Sequence, residues 1–407
     1  MTKKNIVVSM DIGTSNIRAI IGEITKDHTL NIIGVGTSPS GGLRKGIIVD
    51  LDKTVQNINE AVSEAERMVN MEINSVFLGM VGTHITLINN RGVVAVSGED
   101  KEITLEDVER VIQASRVIAM PPDREIIDII PRQFIVDGYD GIRDPVGMVG
   151  VRLEVDAMII TGAVTSIRNL MRCVNRAELE VDGVVLNCLA NAEVLLSEDQ
   201  KELGVALIDI GGGTTEVAMF QQNALRDVSV LPMGGDHITN DIAVGLRTTI
   251  EQAEKLKIKH GKALVSMVES EEDIEITSVG GKENRNVNEK ILCGIIEPRV
   301  QEILFLAREE LEKMGHLKSL PAGIVLTGGA SLMKGVPEMA EEIFESPVQL
   351  AQPDYIGVSS PVFSTGVGII HYVQGNQLIP TDGKKETKLV LPKFLGRVKN
   401  WFYEIFD

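Results

Sequence analysis

The segment VVSMDIGTSNIRAIIG (7–22) has a counterpart, ALIDIGGGTTEVAMF (206–220), in the other half of the chain. Each runs apolar strand, Asp-Ile-Gly, small hydroxyl residues, second apolar strand. With 407 residues the chain is expected to form two or more lobes, and the two hairpins are placed to close on one ligand from both sides. Glycines permit a tight turn and close approach of backbone to a ligand. Successive N–H groups in such a turn form a concave anion site, to which Thr14, Ser15, Thr214 and Thr215 add hydroxyl donors. Asp11 and Asp209, one at each strand end, can hold Mg2+ through its water shell, because that ion dehydrates reluctantly. One glycine hairpin alone is simply a turn. Two matched copies, each with its Asp, point to a nucleotide. No GxxxxGK[ST] run is present, so the site is not a P-loop.

Three further pieces suit the same ligand. PMGGDHITNDIA (232–243) puts Gly234 and Gly235 before a helix with Asp236 as its cap, so that the helix N-terminus faces phosphate or ribose. VLTGGAS (325–331) puts Gly328 and Gly329 between strand and helix, suited to flat packing of a base on backbone. In EQAEKLKIKHG (251–261), Glu254 and Lys257 lie one turn apart on one helix face, within reach of ribose and base. An exposed ion pair is the plain alternative for those two.

Between the hairpins the pattern alternates strand and helix. Helices are expected over 50–69, capped by Asp50 or Asp52, and over 104–118, with Thr104 as N-cap and Asp107 three residues on. The stretch 84–162 reads as a compact inserted α+β unit. The run 165–180 is expected as helix, 181–187 as strand and 189–203 as one further helix. Residues 236–313 are largely helical apart from an acidic middle, ESEEDIEITSVGGKENRN.

The C-terminus is of another kind. Aromatics make up only 3% of the chain, yet Phe394, Trp401, Phe402, Tyr403 and Phe406 crowd its end. On a helix over 393–407, Phe394, Leu395, Val398, Trp401, Phe402, Ile405 and Phe406 share an arc of roughly 140°. Arg397 and Lys399 stand on its margins, where their stems can snorkel to headgroups. Lys384, Lys385, Lys388 and Lys393 add local positive charge, and 375–392 reads as a flexible linker. Stripe, aromatics and charge fit a helix lying in an anionic membrane interface; docking on the protein's own core is the alternative. The body as a whole carries a formal charge of −18, which argues against a nucleic-acid partner. Cys173, Cys188 and Cys293 are scattered, which suggests no zinc site and fits a reducing cytoplasm. The N-terminal segment lacks the pattern of a signal peptide, and no run of about eighteen apolar residues would cross a bilayer.

At these motifs the chain resembles the actin, sugar-kinase and heat-shock-chaperone ATPase superfamily. MDIGTSNIRAIIG is similar to its first phosphate motif, LIDIGGGTTEVAMF to its second and IVLTGGASLMKGVPEMA to its adenosine motif. VDGVVLNCLANAEVLL and SPVFSTGVGIIHY look like its two connecting helices. GGDHITNDIA, the unit inserted after LGMVGTHI and the amphipathic C-terminus extend the likeness, over nearly the whole chain, to the FtsA family of bacterial cell-division proteins.

That resemblance implies an α/β, actin-like (ribonuclease-H-like) two-lobed ATPase fold with an inserted α+β subdomain, 1C, and a C-terminal amphipathic helix. Subdomain 1A would take 1–83, 163–193 and a return at 359–374, with 1C at 84–162. Subdomain 2A would take 194–228 and 301–358, and 2B 229–300. The linker at 375–392 and the membrane-targeting helix at 393–407 would follow. ATP with Mg2+ would lie among Asp11, Gly13, Thr14, Ser15, Asn16, Asp209, Gly211, Gly212, Gly213, Thr214 and Thr215. Gly234, Gly235, Glu254, Lys257, Gly328 and Gly329 would hold the adenosine. The implied role is an actin-like filament on the cytoplasmic side of the cell membrane at the septum, tethering the C-terminal tail of FtsZ and recruiting later divisome membrane proteins. Arg299 and Glu302 are the residues assigned to the FtsZ tail. One departure matters. Active superfamily members carry a Glu or Gln near the first connecting helix to orient the attacking water, and here only Asn187, Cys188, Asn191 and Glu193 stand nearby. ATP binding with slow hydrolysis is therefore expected. A small-molecule kinase of the superfamily, or a type IV pilus protein of the PilM family, would have no use for the aromatic tail as an anchor.

Overall fold

The computed structural model describes residues 5–82, 84–269, 273–277, 284–315 and 320–376. Strands β1 (Asn5–Ile12), β2 (Asn16–Ile24) and β3 (Leu30–Pro39) form an antiparallel meander. Val7, Val8, Ser9 and Met10 are all buried, because β1 is central and covered on both faces. A short ribbon, β4 (Leu43–Arg44) and β5 (Ile47–Ile48), leads to helix α1 (Leu51–Val69). Asp50 caps that helix by accepting from the Lys53 N–H, and Ile58, Ala61, Val62 and Ala65 form its buried stripe. Strand β6 (Ser75–Met80) then pairs parallel with β1.

An inserted sheet follows, built from β7 (Thr86–Ala95), helix α2 (Leu105–Ser115), β8 (Arg124–Val136), β9 (Tyr139–Ile142) and β10 (Arg152–Ala163). Its order is β7-β10-β8-β9, with α2 on one face. Thr104 and Asp107 make a reciprocal capping box at the start of α2. The chain re-enters the first lobe as α3 (Val164–Arg176), β11 (Glu180–Leu186) and α4 (Asn187–Leu195). The single helix expected over 189–203 is two. The chain leaves the helix at Leu196, and Ser197 caps a new one, α5 (Glu198–Leu203), in a capping box with Gln200. The apolar spacing runs on, but the local cap takes precedence.

The second lobe holds β12 (Val205–Ile210), β13 (Thr215–Gln221), β14 (Ala224–Leu231), α6 (Gly235–Gly245) and α7 (Ile250–His260). A ribbon of β15 (Asp273–Thr277) and β16 (Asn284–Asn288) and the long α8 (Glu289–Lys313) come next. Strand β17 (Ile324–Thr327), α9 (Val336–Phe344), β18 (Val348–Leu350) and α10 (Ser364–Gly375) complete the described chain.

The two large sheets share one plan. Their orders are β3-β2-β1-β6-β11 and β14-β13-β12-β17-β18, each an antiparallel meander extended by two parallel strands. Helices α4 and α10 follow the fifth strand of each and join through a Thr365 hydroxyl donating to Asn191 Oδ1 at 3.2 Å. The sequence repeat is thus the visible part of a duplicated lobe. A third apolar cluster ties Met158 and Ile160 of β10 to Cys188 and Ala192 of α4 and to Leu207, Ala218 and Phe220 of the second sheet.

Candidate nucleotide cleft

The β1–β2 and β12–β13 turns close in the same way. Gly13 N–H donates to Asn16 O at 3.0 Å, and Gly211 N–H donates to Thr214 O at 2.9 Å. A Cβ on Gly212 would lie 1.8 Å from Ser15 Oγ and one on Gly213 2.6 Å from Thr14 Oγ1, so the two turns meet tip to tip with little room for a side chain. Gly328 has φ +88° and would put a Cβ 2.2 Å from Asp209 Oδ1. Between the lobes lies a cleft of about 660 Å³. A larger, shallow depression of about 1140 Å³ runs along the polar outer face of α1 near Glu60 and Arg67, and it contains no glycine turn.

Most residues singled out in the sequence line this cleft: Asp11, Gly13, Thr14, Ser15 and Asn16 from the first hairpin, and Asp209, Gly211, Gly212, Gly213 and Thr214 from the second. Gly235, Glu254, Lys257, Gly328 and Gly329 line its other end. Two do not. Thr215 is buried, its hydroxyl donating to Met233 O at 2.8 Å, and Gly234 is packed against the Gly211 and Gly212 carbonyls. Asp236 is not the cap of α6. Gly234 holds that position, with its N–H donating to His237 Nδ1, while Asp236 Oδ1 accepts from Ser15 Oγ at 3.0 Å across the lobes. Lys257 Nζ stands 2.7 Å from Glu254 Oε2 and donates to Gly235 O at 3.1 Å, which ties α7 to the start of α6.

The floor of the cleft is rich in carboxylates. Burial pushes the Asp11 carboxyl up, against the pull of Arg18, whose Nη1 is 3.9 Å from Asp11 Oδ2. Burial and then Asp11 push Asp209 up to about 6, although Asn191 Nδ2 donates to it at 2.9 Å. Glu216 is driven well above the usual carboxylate range by burial and by Asp209. Arg18 and Glu216 were not picked out from the sequence. They are the register partners of Asp11 and Asp209, and the matching seven-residue spacing in the repeat was the signal that marked them. Arg18 Nε, Asn187 Oδ1 and Glu216 Oε2 have no protein partner among the described residues, and all three residues line the cleft.

Among the residues near the first connecting helix, Asn191 is committed to Asp209 and Thr365. Glu193 faces away and pairs with Lys201 at 3.7 Å. Cys188 is buried, its thiol pushed well up by burial and then by Glu216. Arg299 and Glu302 lie on α8 away from the cleft, where Arg299 Nε donates to Asp241 Oδ2 at 2.6 Å and its Nη1 pairs with Glu302. The membrane residues Phe394, Leu395, Arg397, Val398, Lys399, Trp401, Phe402, Ile405 and Phe406 lie outside the described residues, as does the linker beyond Asn376. Among the described residues no helix is long and apolar enough to cross a membrane.

Duplicated lobes that clasp a glycine-lined cleft define an actin-like ATPase fold. Solved structures agree: the PilM–PilN type IV pilus biogenesis complex matches with a TM-score of 0.64 at 15% identity, covering 90% of this chain and 98% of that one. MreB5 of Spiroplasma citri bound to ADP matches at 0.55 with 15% identity, over 92% and 97%. At that identity the likeness is one of fold. Sequence narrows it. The profile of cell division protein FtsA matches residues 206–368, and that of the SHS2 domain inserted in FtsA matches 82–161. The chain is 47% identical to cell division protein FtsA of Bacillus subtilis (93% of this chain, 86% of the relative). It is 42% identical to that of Neisseria meningitidis (98% of each) and 36% identical to that of Escherichia coli K12 (100% and 99%). The chain belongs to the FtsA family of cell-division proteins.

Proposed function

We propose that the protein is an ATP-dependent, actin-like membrane tether for FtsZ, polymerising on the inner face of the cytoplasmic membrane and recruiting later division proteins. The observation that carries the nucleotide part is the pair of tip-to-tip turns with Asp11 and Asp209 behind them. The donor set suits ATP and Mg2+: backbone N–H groups and hydroxyls for phosphate, hard carboxylate oxygens for a hydrated cation. When bound, Mg-ATP would supply the phosphoanhydride, and its Mg2+ the positive charge that the carboxylate-rich floor lacks. Thr14, Ser15, Asn16 and Thr214 orient the phosphates, and Asp11 and Asp209 hold the cation mainly through water. Glu254 and Lys257 face the ribose, with Gly235, Gly328 and Gly329 beside the adenosine. No Glu or Gln of the first connecting helix lines the cleft, which supports slow hydrolysis.

Glu302, exposed on α8, and the half-buried Arg299 beside it are the proposed contact for the FtsZ tail. The helix 393–407 is the proposed anchor. Seven half-inserted apolar side chains give only several kcal/mol, roughly, so one copy binds reversibly and a filament binds by avidity. Co-pelleting with anionic liposomes and FtsZ, with and without ATP, tests the reading. Removal of 393–407 is expected to release the protein from vesicles and leave nucleotide affinity unchanged. Undiminished sedimentation of the shortened chain would refute the anchor.

A further inference from the structure

The far end of the cleft carries a second ion pair, between Glu289 and Lys262. Glu289 opens α8, and its side chain is only 10% exposed. Its Oε1 lies 3.2 Å from the Nζ of Lys262, itself 18% exposed, just past the end of α7. Both residues line the cleft. Backbone contacts fix their place. Ala263 N–H donates to Lys334 O at 2.8 Å, and Lys262 bridges Lys334, so the pair sits beside the segment that follows Gly328 and Gly329. This is the end away from the paired hairpins.

A largely buried ion pair adds little to stability, because desolvation offsets much of its attraction. Here it also faces a ligand cleft. Two large apolar side chains that line the same cleft are left open: Ile258, one turn before Lys262, at 75% and Leu332, just before Lys334, at 46% exposed. Apolar side chains with a few placed polar groups are the form of a site for a flat heterocycle.

We propose that Glu289, held in place by Lys262, accepts a hydrogen bond from the exocyclic amino group of adenine and so gives the cleft its base preference. The assignment rests on the nucleotide reading above. It goes beyond that reading by naming the atom recognised. A carboxylate is an acceptor only, so it rewards an amino group and leaves a base without one short of a charge-assisted bond. Glu289→Gln keeps the shape but can present either an acceptor or a donor, and so loses the distinction.

The test is displacement of a fluorescent ADP from the full-length protein by ATP and by purine riboside triphosphate, which lacks only the amino group. For the unaltered protein, the second competitor is expected to bind about tenfold or more weakly, the effect of one charged hydrogen bond. In Glu289→Gln the gap is expected to fall below about threefold. Equal affinities in the unaltered protein would overturn the assignment, and that arm needs no variant to fold. An undiminished gap in a folded Glu289→Gln protein would overturn it as well. Failure of ATP itself to displace the probe would instead refute the nucleotide reading, and this one with it. A Lys262→Met variant is expected to narrow the gap chiefly by weakening ATP, with Lys262 a positioning residue for Glu289; equal weakening of both competitors would overturn that role. If Lys262→Met instead abolished the gap while Glu289→Gln kept it, the lysine would be the reader and the proposal would fall.

Discussion

Asp128 shows how a single carboxyl can act against the fold that contains it. It lies on β8, where burial pushes its pKa from 3.8 up to about 6 in spite of the Ile129 N–H it accepts. A raised carboxyl pKa means that the folded state binds the proton more tightly than the unfolded chain does. Its favourable contribution is therefore complete below 3.8 and is lost as pH rises through about 6. Asp128→Asn is expected to stabilise the protein by up to about 3 kcal/mol at pH 7 and by progressively less toward pH 4. Urea melts of both proteins across that range check it; a constant difference at every pH would contradict the assignment. Asp107 has the opposite character. Two contacts from Ser97 and the Thr104 N–H hold it well below the usual carboxylate range. It joins α2 to the end of β7 rather than burdening it.

Helices α4 and α10 are the elements on which the two lobes meet, and besides the Thr365–Asn191 bond they touch through backbone. A Cβ on Gly368 would fall 2.1 Å from Ala190 O. Gly368→Ala is expected to cost about 1–3 kcal/mol by overpacking, or more if the helices part. It would appear as a lowered thermal midpoint together with weakened nucleotide binding, because Asn191 on the same helix holds Asp209. A midpoint within a degree of the unaltered protein's would contradict the close-packing account. This level of structure was readable in part. Period and caps gave α1 and α2 their positions, and the repeated Asp-Ile-Gly located both turns. The break after Leu195 was hidden because apolar spacing continues through Leu196, while Ser197 starts a new helix by a local hydrogen bond with Gln200. Glu216 was missed for a different reason. The seven-residue spacing that the repeat shares was its one mark in the sequence, and its meaning comes from facing Asp209 in register. Likewise Lys262 and Glu289 are far apart in sequence and meet only when α7 ends against the first turns of α8.

Across the whole molecule, the inserted sheet is fastened at more than its entry and exit. Arg132 Nη2 on β8 donates to the carbonyls of Leu225 and Arg226 in the second lobe, at 3.3 and 2.6 Å. Arg124 Nη2 donates to His84 O and Thr161 O beside the first lobe, at 2.9 and 3.0 Å. Nucleotide binding is expected to slow amide exchange in β8 and β10 as well as in the hairpins, and Arg132→Ala is expected to reduce that remote protection. Hydrogen-exchange mass spectrometry decides it; protection confined to the cleft would show the insert to be uncoupled.

The shared apolar cluster of β10, α4 and the second sheet has a thermodynamic consequence. Suppose that Met158, Ile160 and Phe220 pack differently in two arrangements of the lobes. Any ligand of the cleft that prefers one arrangement then changes the affinity of the insert for its own partner by some factor. That partner, once bound, must change the cleft's affinity by the same factor, because the coupling free energy is a property of the cycle and not of either site. The insert would then report on the nucleotide, and the nucleotide on the insert, to an equal degree.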